Sequence, residues 1–253
     1  MHIPRRIKPV LRIFALLSMA YLGLVVLVYL RQRSMLFLPS HAAFATALTP
    51  WAEESRTLGY CHEVPNPRTI WFMMHGNGGQ AADRDYVVGC MSDEDSLYVL
   101  EYPGYGAREG SPSMESINQA AREAYRLLRS QHPSAPVCVL GESIGSGPAC
   151  VLAQEKVTPE KIVLVVPFDA LVKVASHHFP FLPVRFMLRD TWDNVDALRD
   201  YRGPVQIFGA SGDTIIPVEH ARTLANQVHD AQFVTIGGNH NDWSFGDQVR
   251  IRR

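Results

Sequence analysis

Charge of a single sign is what this sequence most lacks. Its 24 basic and 25 acidic side chains leave a formal net charge of -1, and no long run of one sign occurs outside the N-terminus. A nucleic-acid binder carries a basic patch or stripe, so no nucleic-acid partner is expected. Cysteine is scarce too. Cys61, Cys90, Cys138 and Cys150 lack the close pairing of a zinc site. Cys138 and Cys150 stand in apolar surroundings and read as small core residues. Cys61 and Cys90 are a pair that an oxidising compartment would permit and that spacing does not decide.

One long hydrophobic run is present. Residues 13–30, IFALLSMAYLGLVVLVYL, hold no charged side chain. Their length of about 18 residues is near the lower limit for a helix that crosses a bilayer. Val10 and Leu11 extend the run, because Arg12 can snorkel toward the headgroups. No polar face interrupts it, which argues against a core helix of a soluble domain. A cleaved signal peptide fits the basic start, but Arg31, Gln32 and Arg33 follow the run with no small-x-small site close behind. An uncleaved, single-pass signal anchor is expected, with the lipid bilayer as its partner.

Arg5, Arg6, Lys8 and Arg12 precede the span, and only Arg31 and Arg33 follow closely. The positive-inside bias then sets the rest of the chain on the non-cytoplasmic side. The expected division is a basic segment at 1–12, the anchor at 13–30, a juxtamembrane connector at 31–54 and one domain at 55–253. A domain of that size can bury a proper core. The connector contains SMLFLPS, which either holds the domain near the bilayer or packs on it as a first element.

From Thr69 onward, short apolar runs alternate with amphipathic stretches. TIWFMMHG, SLYVLEYPGYG, VCVLGES, KIVLVVPF, PVQIFGASGD and AQFVTIGG read as strands. Helices are expected over AADRDYVVGCM, over residues 113–131 with Ser113 and Ser116 as capping residues, over IGSGPACVLAQEK, over about 218–228, and after His240. This alternation implies an α/β class, with a mainly parallel, doubly wound sheet and helices on both faces. Ligands in such sheets sit beyond the carboxyl ends of the strands.

The sharpest motif is Gly141-Glu142-Ser143-Ile144-Gly145, between a strand and a helix. A serine hydroxyl is a poor nucleophile at neutral pH and must be held toward a base. A strand-turn-helix elbow does this, and flanking glycines let the tight turn close. It also aims the Ile144 amide at a developing oxyanion. The base should lie on a loop near the C-terminus, and His240, in Gly237-Gly238-Asn239-His240, follows the last strand; His220 and His229 are poorer by position. The acid should follow the preceding strand, which selects Asp213. Asp213 could instead cap the next helix, and Asp193 and Asp196 are alternatives from an irregular segment. The second oxyanion donor is expected at Asn77 in His75-Gly76-Asn77-Gly78-Gly79, with Gly76 next; His75 reads as a brace for that loop.

The set HGNGG, EYPGYG, GESIG, SGDTIIP and GGNHND resembles the membrane-anchored α/β-hydrolase-domain proteins, near the serine aminopeptidase-like hydrolases and the acyl-protein thioesterases. The resemblance covers essentially the whole chain. It implies an α/β-hydrolase fold and a Ser143-Asp213-His240 triad, with Asn77 and Ile144 amides as the oxyanion hole. One departure is Gly78-Gly79-Gln80, where relatives more often show a small residue and a second Asn. Residues 175–188, ASHHFPFLPVRFML, fall where this fold inserts its cap, and their shortness and prolines imply a minimal one. This apolar segment either lines a pocket that accepts a hydrophobic acyl chain or merely covers the sheet. The expected substrate is an acyl ester or thioester, and the chemistry requires no metal or organic cofactor. An aminopeptidase-like peptidase, with Glu142 and Glu101 as the acidic patch for an amine, is the alternative. A catalytically inactive membrane-bound scaffold is the other.

Overall fold

The computed structural model describes residues 7–43, 45–54, 56–246 and 248–253. Among these, eight strands form the main sheet: β1 (Thr49–Glu53), β2 (Arg56–His62), β3 (Thr69–Met74), β4 (Asp95–Leu100), β5 (Val137–Glu142), β6 (Ile162–Val165), β7 (Val205–Ala210) and β8 (Ala231–Ile236). Their order is β8-β7-β6-β5-β3-β4-β2-β1. β2 runs antiparallel to both neighbours, and the remaining pairs are parallel. This is the mainly parallel architecture expected from the alternating pattern.

The central strands β3 to β6 are buried along their whole length. Strands covered on both faces must be apolar throughout, which is why IWFMM and IVLV read as unbroken runs. Successive side chains point to opposite faces. Ile70, Phe72 and Met74 enter one core, while Trp71 and Met73 enter the other. Cys61 belongs to the first core and Cys90 to the second, so the sheet separates them and no disulfide joins them.

Seven α-helices accompany the sheet among the described residues: α1 (Ile7–Leu36), α2 (Met114–Gln131), α3 (Ser146–Val151), α4 (Leu171–His178), α5 (Val184–Met187), α6 (Asn194–Ala197) and α7 (Val218–Gln227). Ser113 caps α2 by accepting from the Ser116 amide, and Ser116 Oγ accepts from the Ser113 amide in return. The cap between β6 and β7 amounts to α4, α5 and α6. The stretch expected as a helix at 81–91 is a 3-10 segment, Ala81–Cys90, broken at Arg84. After His240 the chain makes turns in place of the expected helix. There Gly246 adopts φ +84, and the Asp242 carboxylate accepts from the Asn239 amide.

Helix α1 continues six residues past the expected end of the span, because its last turns dock on the cap. Val25 and Val28 pack against Leu182, Val184 and Met187. The Gln32 side chain donates to the Met187 carbonyl at 3.0 Å and accepts from the Arg189 amide at 2.8 Å. Arg33 forks onto Asp190 at 2.9 and 3.2 Å, and Asp190 also accepts from the Met114 amide that opens α2. The stretch Leu11–Leu36 is long and apolar enough to cross a membrane. SMLFLPS packs on the domain as a first element. Phe37 is buried in the core, and Leu38–Pro39 pairs in parallel with Gly78–Gly79. The sheet itself starts at Thr49, ahead of residue 55.

Gly59 shows how closely β2 and β4 approach. A Cβ there would lie 1.9 Å from the Val99 carbonyl oxygen. Gly59→Ala should therefore destabilise the protein by about 3 kcal/mol, the upper range for overpacking. Gly89→Ala, where nothing lies within 4 Å, is the control. Thermal or denaturant unfolding of both variants checks this, and equal midpoints would contradict the reading.

Candidate active site

β5 ends at Glu142, and the chain turns sharply through Ser143–Gly145 into α3. Ser143 takes φ +53. A non-glycine residue pays roughly 1–2 kcal/mol to sit there, and such strain persists only when its surroundings enforce it. A Cβ on Gly145 would fall 2.2 Å from the Met74 carbonyl and 2.6 Å from that of His75. The turn is thus pressed against the end of β3, and the loop from His75 to Gly79 is held beside the serine.

The structure brings Ser143, Asp213 and His240 together. His240 Nε2 lies 2.8 Å from Ser143 Oγ, and His240 Nδ1 lies 2.6 Å from Asp213 Oδ2. All three residues are buried. The carboxylate assigns the ring proton to Nδ1, so Nε2 accepts from the serine hydroxyl. Asp213 does not cap the next helix, whose N-cap is Pro217: its Oδ1 accepts from the Ile215 and Ile216 amides in the turn ahead of that helix, at 2.9 and 2.8 Å, while its Oδ2 faces the histidine. The loops that carry Asp213 and His240 are joined where the Gly212 amide donates to the Gly238 carbonyl. Asp193 caps α6 instead, and His220 pairs at 2.7 Å with Asp169.

Asn77, Gly76, Ser143 and His240 line a common cleft of about 670 Å³. Asn77 is held from behind. Its carbonyl accepts from the Leu38 amide at 3.0 Å and the Tyr105 hydroxyl at 2.8 Å, and its side chain donates to the Leu36 carbonyl at 3.1 Å. The Ile144 amide follows the serine in the first turn toward α3. Gln80, the departure from the resembled pattern, closes a capping box with Asp83 and donates to the Ala42 carbonyl. His75 is a brace: its ring stacks on Tyr102 with centroids 4.1 Å apart, and Nδ1 lies 2.7 Å from the Gly76 carbonyl.

Sequence reasoning missed the role of Glu142. Its Oε2 accepts from the Gly76 amide at 2.9 Å and Arg84 Nε at 3.0 Å. Its Oε1 accepts from the Tyr86 hydroxyl and Trp243 Nε1, both at 3.2 Å. Burial raises its pKa, but the Arg84 charge, the Gly76 amide and the Trp243 indole outweigh that and hold it below the usual carboxylate range. Burial and the Glu142 charge push the Tyr86 phenol up, so it stays a donor. Neither Arg84, Tyr86 nor Trp243 belongs to a local motif with Glu142. Only the fold unites them. Glu101 is equally internal, accepting from the Ala81 amide at 3.1 and 3.3 Å.

A depressed folded-state pKa makes Glu142 stabilise the fold above the ordinary glutamate pKa, and that contribution fades as pH falls through the folded value. Glu142→Gln should cost about 1.5–3 kcal/mol at pH 7, the range for hydrogen bonds to a charged group. The deficit should shrink toward pH 3. Denaturant unfolding at the two pH values reads this out, and a deficit that does not change with pH would refute it.

No protein-family model matches the chain. It is similar to an uncharacterized protein of Mycobacterium tuberculosis, 26% identical over 94% of this chain and 89% of the relative. It is 28% identical to the alpha/beta hydrolase domain-containing protein WAV2 of Arabidopsis thaliana, over 74% of this chain and 68% of that one. Lysophosphatidylserine lipase ABHD12 of Danio rerio is 28% identical, over 60% of this chain and 45% of the lipase. Among solved structures, an alpha-beta hydrolase of Vibrio vulnificus matches with a TM-score of 0.60 at 18% identity, covering 76% of this chain and 74% of that one. An esterase of Pyrococcus furiosus matches with a TM-score of 0.62 at 12% identity, covering 83% and 94%. At such identities the structures establish the fold alone. The chain thus has the α/β-hydrolase fold, and its similarity to α/β-hydrolase-domain proteins supports a hydrolase, with an N-terminal apolar helix compatible with membrane anchoring.

Proposed function

We propose that the protein is a membrane-anchored serine hydrolase that cleaves an acyl ester or thioester through an acyl-enzyme on Ser143. The observation that carries this reading is the hydrogen-bond path from Ser143 Oγ through His240 to Asp213, with bonds of 2.8 and 2.6 Å. As Ser143 Oγ attacks the carbonyl carbon, His240 Nε2 takes its proton, and Asp213 stabilises the imidazolium. The oxyanion forms against the Asn77 and Ile144 amides, the latter favoured further by the helix-turn dipole. The imidazolium returns its proton to the departing alkoxide or thiolate, and the acyl group stays on Ser143. Water then gives a proton to His240 and attacks the acyl-enzyme, releasing the acid and restoring the serine. Each step uses groups of this chain and water.

Three points favour an acyl ester or thioester over a peptide. Such bonds need less help at the leaving group than an amide does. Glu101 is internal, and Glu142, although it borders the cleft, has both carboxylate oxygens occupied by hydrogen bonds, which argues against either as the partner of a substrate amine. Leu38, Ile215 and Phe245 give the cleft apolar walls, and the zebrafish relative is named a lysophosphatidylserine lipase. A scaffold role would not need the intact serine, acid and base. The basic bias ahead of the apolar run supports a domain on the non-cytoplasmic side.

A fluorophosphonate probe tests the nucleophile. Wild type should label covalently, Ser143→Ala should not, and Asp213→Asn should lower kcat by roughly 10⁴ through loss of the correct tautomer. Equal labelling of the Ala variant, or none of wild type, overturns the reading. On acyl esters of increasing length, kcat/KM should rise; a flat or falling series removes the lipid-like substrate.

A further inference from the structure

The anchor and the cap touch at a depth that the length of the anchor makes informative. A bilayer's hydrocarbon layer is about 30 Å thick and takes about 20 helical residues to cross. The apolar stretch starts at Leu11, so a span beginning there reaches residue 30. It cannot start much earlier, because Arg5, Arg6, Lys8 and Arg12 lie ahead or at its edge. Yet the Tyr21 hydroxyl donates to the Phe181 carbonyl at 2.9 Å, and Tyr21 lies roughly 15 Å along the span at 1.5 Å per residue. The helix ahead of that contact is too short to cross a membrane by itself. If α1 spans the bilayer, the cap beside Tyr21, Val25 and Val28 lies in the bilayer with it.

The cap is made for that place. Residues 179–187, FPFLPVRFM, hold a single charged side chain, Arg185. Phe181 is 64% exposed and Phe186 is 93% exposed, an arrangement unfavourable in water and favourable in lipid. Arg185 can snorkel to the phosphates, and Arg189 stands with its guanidinium 5.9 Å above the Tyr29 ring near the end of the span.

Between α1 and the cap runs an apolar groove of about 160 Å³, walled by Val28, Met35 and Leu36 on one side and by Ala175, Phe179 and Leu182 on the other. It ends at Leu36, whose carbonyl accepts from the Asn77 side chain on the rim of the catalytic cleft. That rim stands roughly 9 Å beyond residue 30 along the helix, at the depth of lipid headgroups.

We propose that residues 179–187 are embedded in the leaflet facing the domain, and that the groove they form with α1 takes the acyl chain of a membrane lipid while its ester reaches Ser143. The embedding rests on α1 spanning the bilayer; the acyl assignment rests also on the ester-cleaving reading above.

The full-length protein in phosphatidylcholine vesicles tests both. Its four tryptophans, Trp51, Trp71, Trp192 and Trp243, are buried, so Phe181→Trp adds one reporter at the cap tip. Lipids brominated in mid-chain should quench this added emission, and aqueous iodide should not. Quenching by iodide, or none by the brominated lipids, overturns the embedding. Met35→Trp fills the groove and should lower the ratio of long-chain to short-chain ester turnover by about tenfold, the effect of losing about two buried methylenes. An unchanged ratio overturns the acyl groove. If wild type neither labels with the fluorophosphonate nor turns over any ester, the catalytic reading fails and takes the acyl assignment with it. The quenching result still decides the embedding.

Discussion

The Glu142 carboxylate is the point on which the rest of the site depends. It stands one residue before the strained serine and collects donors from three separate parts of the chain: the Gly76 amide of the loop after β3, Arg84 and Tyr86 of the 3-10 segment, and Trp243 just past the histidine. A buried charge left alone would be costly, whereas one with four donors is a rigid junction. Together with the close packing of Gly145 on the end of β3, this satisfied anion ties the elbow to the Asn77 loop through Gly76 and to the His240 loop through Trp243. This explains why the elbow can hold Ser143 in a conformation that its side chain disfavours.

Around that junction the strands supply direction. The parallel order of β3 to β8 sends the ends of β3, β5, β7 and β8 to one edge, where the Asn77 loop, Ser143, Asp213 and His240 emerge. The hydrogen bond from Gly212 to Gly238 ties the Asp213 loop to the His240 loop, so their separation does not depend on side chains alone. The short cap leaves the cleft open at the rim and contributes an apolar flank next to α1.

Much of this was legible in the residues. Apolar runs such as IWFMM and IVLV could only be strands covered on both faces, and Ser113 with Ser116 marked the start of α2. Ser143, Asp213 and His240 stand together because local signals, a strand followed by a glycine-bearing turn, place each one at the same sheet edge. What was illegible is long-range. The separation of Cys61 from Cys90 by the sheet, the fork of Arg33 on Asp190 that prolongs α1, and the four donors of Glu142 join residues far apart in sequence. The missing helix after His240 has a nearer cause: Asp242 turns its carboxylate back onto Asn239, competing with helical bonding.

The pairing of Leu38–Pro39 with Gly78–Gly79 has a practical side. An apolar helix at the start of a hydrolase invites removal, to obtain a soluble enzyme for screening. Here the cut would fall within the frame of the active site. The backbone of residues 36–38 supplies the acceptor for the Asn77 side chain and a donor for its carbonyl; their loss leaves Asn77 the Tyr105 hydroxyl, while the neighbouring Gly76 and Gly78 stay tied to Glu142 and Arg84. Inhibitors ranked on a trimmed chain would be ranked against a slacker Asn77 loop than the one the intact protein presents.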